Sequence, residues 1–190
     1  AGPKPVLEQL RVANVELIEL KASRSLEDVI TNINTIAEII DAEAKAIQII
    51  DDLKNKKQRL DNIISKNDIR KKIVFILQFG GGAPMAAGKN TAANSIIKLS
   101  GGDNVVTGYD GYKPITPEAV IQQAPEIILV TTQSLEEIGS KEALMKIPGL
   151  ALTPAGNSGN IITMDALLML GFGPRTMDAA KELNERYRKL

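Results

Sequence analysis

The stretch Ile73-Val-Phe-Ile-Leu77, followed by Gln78-Phe79-Gly80-Gly81-Gly82-Ala83-Pro84-Met85-Ala86-Ala87-Gly88-Lys89-Asn90-Thr91, decides how the rest of the chain is read. Five consecutive apolar residues, rich in β-branched and aromatic types, predict a strand buried on both faces, as in the middle of a parallel sheet. Three glycines and an Ala-Pro pair then continue neither strand nor helix. Helical spacing resumes near Asn90. A strand, a glycine loop and a helix in that order mark the place where open α/β sheets hold ligands, beyond the carboxyl ends of their strands.

Downstream the pattern repeats. Thr91–Leu99 reads as a helix closed by Ser100-Gly101-Gly102, the glycines suiting a left-handed stop. Asn104–Val106 is a short strand and Tyr109–Ile115 a loop. Thr116-Pro117-Glu118 opens a helix with a capping hydroxyl, a first-turn proline and a first-turn acid, and Ala124-Pro125 ends it. Ile127–Thr131 is a second strand of the fully buried type. Short helices are expected around Ser134–Ile138 and Lys141–Met145. Ile161–Met164 is a third core strand, and Gly173-Pro174 introduces a last helix from Arg175 to about Lys189. Strands alternating with helices predict an α/β fold: a mostly parallel sheet flanked by helices on both faces.

Upstream the chain is less orderly. Pro5 suits the start of a short helix through Val6, Leu7 and Leu10, closed by Asn14. Val15–Leu20 alternates as a half-buried strand. A strand needs neighbours, and the next one lies more than fifty residues away, so its open edge is expected to pair with a second copy or stay disordered. From Ser25 the period becomes helical, with Asp28 placed to complete a capping box. Apolar residues on one face continue to about residue 66, with a break near Asp41. As a single rod this region would span ~60 Å. Lys54 and Lys57 interrupt the stripe, so it is no sustained heptad; a bracing helix fits better.

Composition excludes several classes. Among 190 residues, 23 Lys and Arg balance 23 Asp and Glu, and aromatics are 3%. Neither the charge nor the stacking surface for nucleic acid is present. Without cysteine or histidine there is no thiolate site, no imidazole ligand and no histidine base for a nucleophile. No apolar run reaches the ~18 residues of a membrane span, and the first residues lack a signal-peptide pattern.

The glycine stretch admits three readings. As a Walker loop it fails, because Ala83 stands where the first glycine belongs and Asn90 where the hydroxyl belongs. As a dinucleotide fingerprint it fails at Met85, and Pro84 removes an amide donor. A phosphate-binding enzyme using the Gly80 loop is therefore the weakest reading. The second is a tight turn without ligand. The third is a loop whose bare backbone at Gly80, Gly81 and Gly82, with Met85 beside it, lies against a flat apolar ligand. Tyr112-Lys113 in the next loop supplies a phenol and an ammonium able to pair with a carboxylate. Glu118 has a plain helix-dipole explanation. No catalytic residue is assigned.

The chain resembles the periplasmic haem-binding proteins of bacterial haem-uptake ABC transporters. The resemblance is carried by Phe79–Ala92, Gly111–Ala119, Pro125–Thr131, Leu150–Ala155 and Asp165–Arg175. It implies a class III substrate-binding protein with two α/β lobes joined by one long helix and haem held between them. Residues 1–24 then resemble the end of a first lobe, most of which is lacking here; 25–68 the inter-lobe brace; and 69–190 the C-terminal lobe. The implied function is capture of haem (hemin) in the periplasm, or at a lipid-anchored cell surface in a Gram-positive source, and delivery to the permease and ATPase subunits at the inner membrane. A ferric siderophore or corrinoid is the alternative ligand. The implied ligand contacts are Gly80, Gly81, Gly82, Met85, Tyr112 and Lys113, with Lys113 facing the haem propionates. No iron ligand is assigned: the family's axial tyrosine belongs to the first lobe, so Tyr112 does not inherit that role, and Tyr112 and Tyr109 enter only as weak candidates. Glu118 matches the acid that relatives present to an arginine pocket on the permease.

Overall fold

The computed structural model describes residues 3–67, 70–78 and 84–190. Six strands form one sheet: β1 Lys72–Leu77, β2 Met85–Ala87, β3 Asp103–Asn104, β4 Tyr112–Pro114, β5 Ile127–Thr131 and β6 Ile161–Met164, in the order β4-β2-β1-β5-β6 with β3 against the start of β1. β1, β3, β5 and β6 are parallel neighbours, with Ile73 opposite Ile127 and Ile128 opposite Ile161. β2 is antiparallel to both β1 and β4, so it is the one strand, among the described residues, that runs against the others. The mostly parallel sheet is as expected.

Alternation along the core strands builds two apolar layers. Ile73, Phe75, Ile127, Leu129, Ile162 and Met164 face one layer. It is covered by α2 Leu26–Ile39, α3 Glu43–Asn67, α4 Ala92–Leu99, α9 Ala166–Leu170 and α10 Thr176–Tyr187. Val74, Ile76, Ile128 and Val130 face the other, covered by α5 Pro117–Gln123, α6 Thr132–Ile138, α7 Lys141–Leu144, α8 Pro154–Ser158 and a 3-10 turn at Leu150–Leu152. Every residue of β5 is buried, which is why its sequence shows no alternation of polarity.

Three expectations are corrected. The helical region from Ser25 is two helices, not one rod. α2 starts with the full capping box, Ser25 Oγ accepting from the Asp28 amide at 3.1 Å and Asp28 Oδ2 from the Ser25 amide at 3.0 Å. It stops at Ile39; Asp41 adopts φ 50°, and α3 folds back so that Leu26 and Ile64 line one groove. At 1.5 Å per residue the 25-residue α3 is about 37 Å long. Val15–Leu20 is not a strand: after α1 (Lys4–Val12) the chain runs without strand pairing to Arg24, and α1 has no buried residue. The period-2 pattern is there, but no neighbour supplies backbone partners. Finally, the loop expected at Tyr109–Ile115 contains β4, and the glycine segment leads into β2 rather than directly into a helix.

Candidate functional site

The corner that opened the sequence is a β-hairpin side by side with a second hairpin strand. Its first stem is pinned: Ser134 Oγ donates to the Gln78 carbonyl at 2.9 Å and accepts from its amide at 3.3 Å, while Thr131 Oγ1 donates to Ser134 Oγ at 2.9 Å. Its second stem begins with Met85, half-buried and opposite Leu77 on one side and Pro114 on the other. The expected contacts Gly80, Gly81 and Gly82 lie outside the described residues. Met85 and Pro114 thus stand together at the carboxyl edge of β1, where the sheet was expected to meet a ligand.

Strand geometry separates two residues that the sequence placed together. Lys113 lies opposite Ala86, which in turn lies opposite Ile76, whereas Tyr112 lies opposite Ala87. Neighbours along a strand point to opposite faces, so Tyr112 and Lys113 leave β4 on opposite sides. The Tyr112 ring turns inward and meets Phe75 edge-on, centroids 6.3 Å apart, as part of the first apolar layer. Burial pushes its phenol up, more than the Ala93 amide, the Thr91 hydroxyl and the Arg24 charge pull it down.

Lys113 is exposed and lies over the Tyr109 ring, its Nζ 5.2 Å from the centroid, within reach of a cation–π contact. The Tyr109 hydroxyl shares its one proton between the carbonyls of Ala86 at 3.1 Å and Lys113 at 3.3 Å, and burial raises its pKa. The two tyrosines therefore share a feature: both phenols are held toward the protonated form. Beneath Tyr109 the segments 88–90 and 109–111 are clamped. Gly88 N–H donates to the Gly111 carbonyl, Lys89 N–H to the Tyr109 carbonyl and Gly111 N–H to the Lys89 carbonyl, all at 2.8–2.9 Å, and Asn90 Nδ2 donates to Asp110 Oδ2 at 2.8 Å. A Cβ on Gly88 would overlap the Tyr109 carbonyl oxygen, its nearest neighbour, and lie 2.6 and 2.8 Å from two ring carbons of Tyr109. Glycine is required there by the Tyr109 backbone first and by its ring second.

This clamp is what sequence reasoning missed. Tyr109 entered only as a weak iron candidate, although the doubled Gly-Tyr of Gly108-Tyr109-Asp110-Gly111-Tyr112 marked it. Lys89, the residue on which a phosphate loop would depend, is fixed by its backbone, in a β-bridge with the backbone of Asp110, and the nearest helix starts only at Ala92. Glu118 occupies the exposed first turn of α5, beyond Thr116, whose hydroxyl accepts from the Ala119 amide at 3.2 Å; among the described residues it has no ion pair. No cluster of three or more metal-ligating side chains occurs among the described residues, and no described helix is long and apolar enough to cross a membrane.

The comparisons with known proteins converge on one group. The uncharacterized ABC transporter substrate-binding lipoprotein YvrC of Bacillus subtilis is 26% identical over 182 residues, 94% of this chain and 56% of that protein. The chain thus spans little more than half the length of that curated relative. Among solved structures, the periplasmic heme-binding protein RhuT of Roseiflexus sp. RS-1, in apo form, superposes with a TM-score of 0.94 at 31% identity, over 100% of this chain and 73% of RhuT. The periplasmic heme-binding protein BhuT in complex with two hemes gives 0.92 at 29% identity, over 100% and 72%. HutB of Vibrio cholerae, also a periplasmic heme-binding protein, gives 0.84 at 28% identity, over 97% and 72%. The periplasmic binding protein family matches residues 6–168, most of the chain, and the chain belongs to that family.

Proposed function

We propose that this chain is part of the substrate-binding component of an ABC transporter, that its ligand is haem, and that it hands haem to a permease without catalysing a reaction. The observation that carries the reading is the superposition of the whole chain on two heme-binding periplasmic proteins at about 30% identity. In this reading residues 69–190 form one lobe, and α2 and α3 brace it. The protein works in the periplasm or anchored at the cell surface, as its relatives' names describe. The edge formed by the Gly80–Gly82 loop and Met85 lies against the macrocycle, where a polarizable thioether suits a flat apolar ring. Lys113, exposed beside that edge, pairs with a propionate. Tyr112 offers the rim of its ring rather than its oxygen. Glu118, unpaired and solvent-facing, is the contact for a basic patch on the permease, and the unpaired stretch Val15–Leu20 supports self-association.

Neither phenol is set up as an axial ligand, since the Tyr109 hydroxyl is engaged by the Ala86 and Lys113 carbonyls and the Tyr112 ring is turned inward against Phe75. Titrating hemin into the 190-residue chain should therefore give weak uptake, at micromolar Kd or above, without a high-spin ferric tyrosinate spectrum. Lys113→Ala should weaken it several-fold. Tight binding with that spectrum, abolished by Tyr109→Phe or Tyr112→Phe, would overturn the reading of both phenols and make that tyrosine the iron's ligand. A thermal shift with a ferric siderophore or cobalamin, and none with hemin, would replace haem by one of them.

A further inference from the structure

We infer that Tyr109 is a positioning residue, a platform that fixes the Lys113 ammonium at the carboxyl edge of the sheet so that it discriminates carboxylate-bearing ligands. The inference rests on the proposed role of Lys113 and adds the device that makes a flexible side chain selective.

A lysine on an edge strand ordinarily samples many rotamers, and ordering it carries a side-chain entropy cost. An exposed ion pair alone returns less than that cost. A free lysine at this position would therefore add little selectivity. Here the ring of Tyr109 lies under the ammonium at 5.2 Å, and the ring itself has little freedom. Its hydroxyl is tied to the Ala86 and Lys113 carbonyls, so it bonds to the same strand residue whose side chain it carries. Its face abuts Gly88, where no side chain fits. Its backbone carbonyl accepts from Lys89, and the neighbouring Asp110 is held by Asn90. Ring, strand and lysine form one unit, so part of the ordering cost of Lys113 is met before a ligand arrives.

The surroundings support an anion as the target. Lys113 has no acidic partner among the described residues, whereas the nearby acid Asp110 is engaged by Asn90. The ammonium is thus held in place but not neutralised, with open solvent on its far side.

The test has two arms. The first needs no ligand: in the NMR spectrum the Lys113 ε-methylene protons should be shifted upfield by the Tyr109 ring current. The shift should persist in Tyr109→Phe, which keeps the ring, and vanish in Tyr109→Leu. An unshifted Lys113 in the parent chain overturns the inference. The second arm compares hemin with its dimethyl ester, which lacks the carboxylates. The parent chain should prefer hemin several-fold; Tyr109→Phe should retain most of that preference, and Tyr109→Leu should lose it as fully as Lys113→Ala. If Lys113→Ala abolishes the preference but Tyr109→Leu leaves it intact, the platform is wrong while the lysine assignment stands. If Lys113→Ala leaves the preference unchanged, the proposed role of Lys113 falls, and with it the selectivity that the platform was inferred to serve.

Discussion

The centre of the sheet and the first twenty-four residues use the same kinds of side chain to opposite ends. β5 reads Ile-Ile-Leu-Val-Thr and every residue is buried. Val15-Glu-Leu-Ile-Glu-Leu20 has the same aliphatic types interrupted by two glutamates, and Val15 and Ile18 are each 47% exposed and the segment has no strand partner. The difference is partly those charges and partly pairing. β5 sits between β1 and β6, which satisfy its amides and carbonyls on both sides, whereas Val15–Leu20 is held by one backbone bond, from the Val15 amide to the Leu10 carbonyl at 3.0 Å, and by the contact of Arg11 with Glu19. Burial of apolar groups stabilises a strand only where its backbone is also paired.

Removing side-chain volume from the centre breaks the comparison most sharply. Leu129→Ala leaves a cavity in a fully buried layer and should cost about 2–5 kcal/mol, read as a large fall in the urea midpoint with little change in slope. A loss below about 1 kcal/mol would mean the layer can collapse around the gap, contrary to its close packing.

The Gly88–Tyr109 clamp comes next. Gly88→Ala forces a Cβ against the Tyr109 carbonyl and ring, and overpacking of this kind costs about 1–3 kcal/mol. Pairing it with Tyr109→Ala should recover only part of that loss in a double-mutant cycle, because the ring contact goes but the carbonyl, the atom nearest that Cβ, stays. Strictly additive losses would show that the carbonyl alone excludes a side chain at position 88.

The box at the start of α2, where the two regions meet, gives a pH-dependent effect. Asp28 is held below the ordinary carboxylate range first by the Arg24 amide and then by Ser25. A depressed folded pKa stabilises the protein above the unfolded value of 3.8, and that contribution is lost as pH falls through the folded value. The melting temperature of the parent should therefore exceed that of Asp28→Asn at pH 6, and the gap should close toward pH 3. A gap that is independent of pH would assign the effect to shape rather than charge.

What the sequence made legible follows the same division. β1 and β5 were readable because a strand buried on both faces must be apolar throughout, and the caps at Ser25 and Thr116 were readable because a short hydroxyl side chain reaches the amide three residues on. β2 and β4 were not readable. Met-Ala-Ala and Tyr-Lys-Pro have no strand signal; β2 is a strand because β1 offers an edge to pair with, and β4 because β2 offers the next. Val15–Leu20 is the inverse case, a strand pattern without an edge. At the site, Tyr112 and Lys113 were identified from chemistry, but their opposite faces depend on a pairing register that chemistry does not encode. The break at Asp41 was visible as a gap in the apolar stripe, whereas the fold-back of α3 onto α2 depends on contacts between residues such as Leu26 and Ile64 that lie far apart in the chain.

The smallest expected effect sharpens the comparison from the other side. Ile18→Ser changes a half-exposed residue with no paired backbone, so the stability of the monomer should move by no more than about 0.5 kcal/mol, against several for Leu129→Ala. Self-association is where it should register. Extended backbone with free amides and carbonyls is a template for another strand, and Val6, Leu10, Val12, Val15, Ile18 and Leu20 all leave apolar surface in solvent. Sedimentation of the parent over a concentration series should show reversible dimerisation that Ile18→Ser or Ile18→Lys weakens, with melting at low concentration unchanged. A parent that stays monomeric, with the amides of 15–20 strongly protected from hydrogen exchange, would mean that this segment finds its partners within its own chain. Its likeness to β5 would then be one of structure as well as composition.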